Sequence, residues 1–200
     1  MILGVDPGSR VTGYGVLRLR GGSVSYERSG VITPRAAHSF SDRLLAVYDG
    51  LRSLLEDVRP DEVAVETAFV RKSAHAALQI GHVRGVILLA ARQHGAAIHE
   101  YTAPEVKLAV VRHGAAGKAQ VGFMVRRLLP EAGTMREDEA DALAVALCHA
   151  HRAPMRAAVE RAGGAAGAGE SVTVRVVGGQ LAPGQIVRAR GSRWRLGGTR

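Results

Sequence analysis

The sequence predicts an α/β protein built on a mixed five-stranded sheet with helices on both faces, and three observations carry that expectation. Residues 1–34 run as three segments bearing Val, Ile and Tyr at strand spacing, separated by short turns, which reads as a meander. Beyond Pro34 the apolar spacing becomes helical, and two short runs, "DEVAVE" and "AAIHEY", alternate with longer helical stretches. A late segment, 137–151, opens in acids and then turns wholly small and apolar, as a helix lying on a sheet must.

Taken in order, "MILGVD" is the first strand and "VTGYGVLRLR" the second; Gly21-Gly22 supplies the turn into the third, "SVSYERSGVIT". Leu44, Leu45, Val47, Leu51, Leu54, Leu55 and Val58 predict a helix over 41–58, and Pro60 bounds the strand that follows. Residues 73–95 form a long Ala-rich helix, "AAIHEY" a fifth strand, and helices follow near 104–112, 118–129 and 137–151. A three-strand meander extended by parallel strands through helical crossovers is the ribonuclease-H-like layout. The long helix is apolar over a broad arc with Ala74, Ala77, Leu78 and Ile80, which fits either a dimer surface or packing on the sheet.

The 200 residues, 46% hydrophobic and 22% charged, suit a soluble domain of ordinary size with an appendage. The expected division is a main domain over 1–152, a Gly/Ala-rich linker over 153–170 around "GGAAGAG", and a basic tail over 171–200 that is β-rich or disordered. No run approaches the ~20 apolar residues a spanning helix needs, and the opening run is too short for a signal peptide, so a cytoplasmic location is expected. The single cysteine, Cys148, excludes an internal disulfide and a Cys-rich zinc site, and reads as a small apolar helix residue. Residues 152–200 hold nine arginines against Glu160 and Glu170, a surplus of +7 out of the chain's +9. The main domain is nearly balanced, so a polyanion would be bound there by placed cations rather than bulk charge.

The acids point to chemistry. Asp6 ends the first strand, where an unpaired carboxylate is costly to bury. Glu62, Ala64 and Glu66 share one face of the fourth strand, with Glu66 last before the loop. If that strand lies beside the first, Asp6 and Glu66 become neighbours that repel unless a cation sits between them. In "REDEADALAVALCHA", Asp138 and Asp141 share the first turn of a helix, where acids also serve as ordinary dipole partners; Glu137 lies four before Asp141, so spacing does not decide between Glu137 and Asp138 as its companion. Hard oxygen ligands, with the eight histidines scattered along the chain, select Mg²⁺ or Mn²⁺ over zinc. An all-carboxylate site suits two such ions ~3.5–4 Å apart, clamping a phosphodiester.

Other motif readings fail or rank lower. "DEAD" opens a helix here instead of ending a strand, and "GAAGKA" lacks the spacing and hydroxyl of a phosphate-binding loop. An actin-like ATPase reading of Asp6-Pro7-Gly8 would need a second phosphate-binding half, for which the chain has no room.

From "ILGVDPGSRVTGYGV" through "VAVETAFVRKSAHAALQIGHVRG" and "YTAPEVKLAVVRHGAAGKAQV" to "DEADALAVALCHAH", the chain resembles the RuvC family of crossover (Holliday) junction endodeoxyribonucleases over residues 1–152. The resemblance implies a homodimer making paired, Mg²⁺-dependent nicks at a four-way DNA junction, with two ions per site and Mn²⁺ as a substitute. It also implies partnership with the RuvAB branch-migration motor. It carries the metal-binding carboxylates onto Asp6, Glu66, Asp138 and Asp141, and the phosphate-holding lysines onto Lys107 and Lys118. Phe69 matches the aromatic that stacks on a junction base, with Arg71 and Lys72 beside it as DNA contacts. Where the family often has Gly-x-Gly before the second lysine, this chain has Arg112-His113-Gly114, and Arg112 adds a candidate phosphate contact. Glu137 and Glu139 crowd the expected metal site; residues 153–200 fall outside the resemblance, and the tail is expected to be an auxiliary DNA-contacting segment. The rival readings are another nuclease of the same fold, acting on RNA or hybrid, and a non-catalytic junction-binding module.

Overall fold

Side chains alternating along the central strands supply two apolar layers, one on each face of a single sheet. The computed structural model describes residues 1–34, 39–67, 74–163, 173–175, 186–190 and 193–197, and after residue 153 the backbone alone. Strands β1 (Ile2–Asp6), β2 (Thr12–Arg20) and β3 (Ser23–Ile32) form the meander; β4 (Glu62–Thr67) and β5 (Ala97–Thr102) complete a sheet of order β3-β2-β1-β4-β5. The β1–β2 and β2–β3 pairs are antiparallel, while β1–β4 and β4–β5 are parallel, which is the predicted mixed sheet.

Helices α1 (Phe40–Val58) and α2 (Ala74–His94) cover one face, where Leu3, Val5, Val63 and Val65 meet Val47, Leu51, Leu55, Val83 and Ile87. α1 starts at a capping box: Ser39 Oγ accepts from the Asp42 amide at 3.2 Å, and Asp42 accepts from the Ser39 amide at 3.2 Å. On length and hydropathy α2 is apolar enough to cross a membrane, which corrects the expectation that no segment is. Its C-terminal half instead buries Val83, Ile87, Ala90 and Ala91, and Arg84 pairs with Glu100 of β5. The packing reading thus holds for that half; Ala77 and Ile80 are partly covered, and Ala74 and Leu78 lie exposed.

The opposite face carries α3 (Ala103–Val111), α4 (Lys118–Leu128) and α5 (Glu137–Gly163), whose Val106, Val110, Val121, Val125, Leu143 and Leu147 pack with Ile2, Leu17, Ala64 and Tyr101. α5 lies unusually close to the sheet because β1 and β2 present glycines beneath it. A Cβ on Gly4 would stand 2.2 Å from the Ala142 carbonyl oxygen, and one on Gly13 would stand 2.0 Å from that of Asp138. Cys148 is buried in this helix, as a small apolar residue should be.

α5 runs to Gly163, twelve residues past the expected end at 151 and through the start of the expected linker. Ala157, Ala158, Glu160, Arg161 and Ala162 are good helix formers, and the first breaker pair is Gly163-Gly164, so propensity carries the helix past Pro154. In the tail, β6 (Thr173–Arg175), β7 (Ile186–Arg190) and β8 (Arg193–Gly197) pair antiparallel in the order β6-β7-β8.

Because α5 is seated on backbone contacts at Gly4, Gly4→Ala is expected to cost about 1–3 kcal/mol by overpacking. A urea-unfolding midpoint equal to that of the parent chain would contradict this account of how α5 is held.

Candidate active site

The parallel pairing of β1 with β4 places Val5 beside Val65, so Asp6 and Glu66 leave the sheet as neighbours at its carboxyl edge. Both have the parity of Gly4 and Ala64, which face α5. The glycine gap then lets the first turns of α5 descend over them, and Asp141 joins the pair. These three carboxylates line a cavity of about 230 Å³ together with Lys107 and Lys118, walled by Ala103, Val106, Val121 and Ala144. Lys107 is delivered by α3, where Glu105 accepts from the Thr102 amide at 2.8 Å to begin the helix. Lys118 opens α4, whose start is tied by the Gly117 amide donating to Gln120 Oε1 at 2.9 Å.

Gathering acids raises their proton affinity. Burial, then the charges of Glu66 and Asp141, push the Asp6 carboxyl from 3.8 to about 7, with Lys118 opposing. Glu66 and Asp141 are likewise raised, in each case first by burial. Lys118 donates to Glu137 at 2.8 Å and to Asp141 at 3.1 Å. Chiefly through Glu137, these bonds hold its ammonium above the ordinary lysine range, while Glu137 is lowered in return. Lys118 remains 68% exposed, so the pairing orients it without locking it away from the solvent side of the pocket. Among the described residues lining the cavity, the only side-chain nitrogens are the two ammonium groups, which carry no lone pair to coordinate, and there is no sulfur. The donor set is therefore all-oxygen and over-supplied with negative charge, which fits hard divalent cations such as Mg²⁺.

The remaining predicted residues separate. Asp138 sits one turn before Asp141 and adds to the field on Asp6, but it does not line the cavity; its backbone oxygen is pressed toward Gly13. Of the two acids expected to crowd the site, Glu137 is engaged by Lys118, and Glu139 is turned to β3, where Ser29 Oγ donates to it at 3.0 Å. Arg112 is not brought to the carboxylates: it is the left-handed C-cap of α3, φ 60°, and lines a separate groove with Gly22, Met124 and His151. Phe69, Arg71 and Lys72 lie outside the described residues.

One grouping escaped the sequence reading. The histidines appeared scattered, yet His99 and His149, fifty residues apart, meet Glu62 at the far end of the same sheet face. No local spacing signals it; the only clue was that Glu62 shares a face with Glu66.

An acid-lined pocket at the carboxyl edge of a ribonuclease-H-like sheet, flanked by two lysines, defines a nuclease of the metal-dependent phosphodiesterase class. Residues 2–149 match the family model described as crossover junction endodeoxyribonuclease RuvC. Curated relatives of that name include one from Caulobacter vibrioides, 49% identical over 150 residues, covering 75% of this chain and 89% of the relative. Another, from Geobacter sp., is 46% identical over 157 residues, covering 78% and 96%. Among solved structures, Thermus thermophilus RuvC in complex with Holliday junction substrate matches with a TM-score of 0.72 at 31% identity, over 78% of this chain and 95% of that one. The chain belongs to the RuvC family of crossover junction endodeoxyribonucleases.

The raised Asp6 has a consequence for stability without divalent ions. Between pH 3.8 and about 7 the folded chain keeps a proton that the unfolded chain releases, so stability falls as pH rises through that window and levels off above it. Asp6→Asn removes the charge and should be about 1–3 kcal/mol more stable than the parent at pH 8 in chelator, converging near pH 4. Thermal melts followed by circular dichroism check this, and equal stability at pH 8 would refute the crowding.

Proposed function

We propose that the chain resolves Holliday junctions by metal-dependent hydrolysis, making paired symmetric nicks in four-way DNA during recombination and repair. The observation that carries the reading is the convergence of Asp6, Glu66 and Asp141, from three distant segments, on one pocket beside Lys107 and Lys118. Two Mg²⁺ ions, with Mn²⁺ as a substitute, are the cofactor this donor set favours, held by Asp6, Glu66, Asp141 and, from the adjoining turn, Asp138. Bound there, the ions would activate water and stabilise the leaving oxygen of the phosphodiester.

The chain's own groups do the positioning. Asp6 and Glu66 are fixed by adjacent strands, so their separation is set by sheet pairing and not by a loop. Lys118 and Lys107 set two ammonium groups against the carboxylates, where they hold the scissile phosphate and offset the charge it develops. The apolar wall of Val106, Val121 and Ala144 limits water behind the reacting centre. Phe69, Arg71 and Lys72 lie three to six residues after Glu66 in sequence and are assigned to junction contact, with Arg112 and the arginine-rich tail as outlying phosphate contacts.

Two opposed strands need two sites, and a homodimer supplies them. The exposed side of α2 supports this: Ala74, Leu78, Gly81, Gly85 and Leu89 recur at helical spacing, Leu78 is 61% and Leu89 51% exposed, and among the described residues no atom lies within 4 Å of where a Cβ on Gly81 or Gly85 would stand. The RuvAB motor is the further partner, acting with this enzyme on chromosomal junctions in the cytoplasm.

Incubated with a synthetic four-way junction, the chain should cut two opposed strands with Mg²⁺ and none with chelator. Asp6→Asn should bind the junction without cutting, and Lys118→Ala should cut about 10²–10³-fold more slowly. Cleavage by Asp6→Asn at the parent rate, or cutting of RNA–DNA hybrid in preference to the junction, would overturn the assignment. Leu78→Arg should shift the chain from dimer to monomer in sedimentation; an unshifted profile would remove α2 as the interface.

A further inference from the structure

The sheet face that carries the carboxylate pocket at one end carries a second polar cluster at the other. Glu62 opens β4, and the register sets Ala64 opposite His99 of β5, so Glu62 and His99 lie two positions apart on neighbouring strands and face the same side. His149 comes down on them from α5 and is fully buried. Its Nε2 meets Glu62 Oε2, and its Nδ1 lies 2.7 Å from the Tyr101 hydroxyl. His99 Nε2 stands 3.4 Å from the same Glu62 oxygen, and the two imidazole rings lie 4.5 Å apart, centre to centre. One ligand atom from each of Glu62, His99 and His149 falls within 4.8 Å of the other two.

We propose that Glu62, His99 and His149 form a second metal site, selective for Zn²⁺ or a similar borderline transition ion, which ties β4 and β5 to α5. The donor set is the first reason. Two imidazoles and one carboxylate are ligands for zinc, whereas the pocket at Asp6 offers oxygen alone, so the two ends of one face sort metals by ligand softness. Tyr101 is the second reason. In the tautomer that donates Nδ1–H to the Tyr101 oxygen, the imidazole lone pair falls on Nε2, the atom that faces Glu62, and the ring is held by a partner behind it as metal-bound histidines are. Access is the third: the Glu62 and His99 side chains are about one third exposed, 33% and 31%, so an ion can reach the buried His149 and the two partly exposed ligands can close on it.

The site is distinct from the carboxylate pocket. His149 lies eight residues beyond Asp141 on α5, about 12 Å along the helix. Glu62 begins the strand that ends near Glu66, about 13 Å away. The bound ion would fasten to the sheet the helix whose other end holds Asp141.

The test uses the full chain carrying Asp6→Asn, which weakens divalent binding at the carboxylate pocket. Titration with Zn²⁺ at pH 7.5 by calorimetry should give one tight site per chain and a raised melting temperature. Co²⁺ should give the visible absorption of a four-coordinate ion with nitrogen and oxygen ligands. Adding His99→Gln or Glu62→Gln, both at partly exposed positions, should weaken Zn²⁺ by at least about tenfold and abolish both the thermal shift and the Co²⁺ bands. Circular dichroism confirms that each variant is folded, and Tyr101→Phe supplies a third probe with a smaller loss. Absence of stoichiometric Zn²⁺, or equal affinity with and without His99→Gln and Glu62→Gln, would overturn the proposal.

Discussion

Everything at the functional edge depends on how near α5 comes to the strands beneath it. A helix packed on a sheet through ordinary side chains stands off by the thickness of those side chains. Here Gly4, Gly13 and Gly15 remove that thickness along one line, and the backbone of α5 at Asp138 and Ala142 fills the space directly. The helix contributes its own small residues, Ala142, Ala144 and Ala146, to the same contact. Dispersion over such a close, fully buried seam is large and intolerant of added methyl groups. That seam sets the height of Asp141 above Asp6 and Glu66, and so decides whether three carboxylates share a pocket or stand apart.

The seam works against electrostatics, and the surrounding residues limit the conflict. Burial first, then repulsion from neighbouring acids, raises Asp6, Glu66 and Asp141, a cost the fold carries because hydrophobic contact over the rest of α5 outweighs it. Two lysines from α3 and α4 moderate the field, and Glu137 anchors one of them at the rim. Glu139 is removed from the cluster altogether by Ser29. A stretch reading Glu-Asp-Glu-Ala-Asp is thus divided by helical geometry into a lysine anchor, one cavity carboxylate with Asp138 beside it, and a link to β3.

The same face shows how one scaffold can present two coordination chemistries. Strand parity puts Glu62, Glu66, His99 and Tyr101 on the α5 side, and strand direction sends Glu66 to one edge and Glu62 to the other. At the carboxyl edge α5 brings more oxygen; two turns later it brings an imidazole. The helix axis is the ruler that keeps the two apart.

Much of this was legible in the linear chain. Strand alternation from Ile2 to Ile32, helical spacing from Leu44 to Val58, and the parity of Glu62, Ala64 and Glu66 are local properties, so they determined the elements, their order and which acids face inward. The motifs around Asp6, Glu66, Lys107, Lys118 and Asp141 were visible because short segments carried them whole. Other features depended on partners far along the chain. That Asp141 enters the cavity while Asp138 stands beside it follows from the rotation of α5 on Gly4 and Gly13. That Arg112 faces a different groove follows from α3 running away from the pocket, and the pairing of Ser29 with Glu139 bridges 110 residues. His99 and His149 looked unrelated because sequence spacing reports only neighbours on one element. Their meeting requires strand register and helix placement at once, and those are set by the packing of the whole domain.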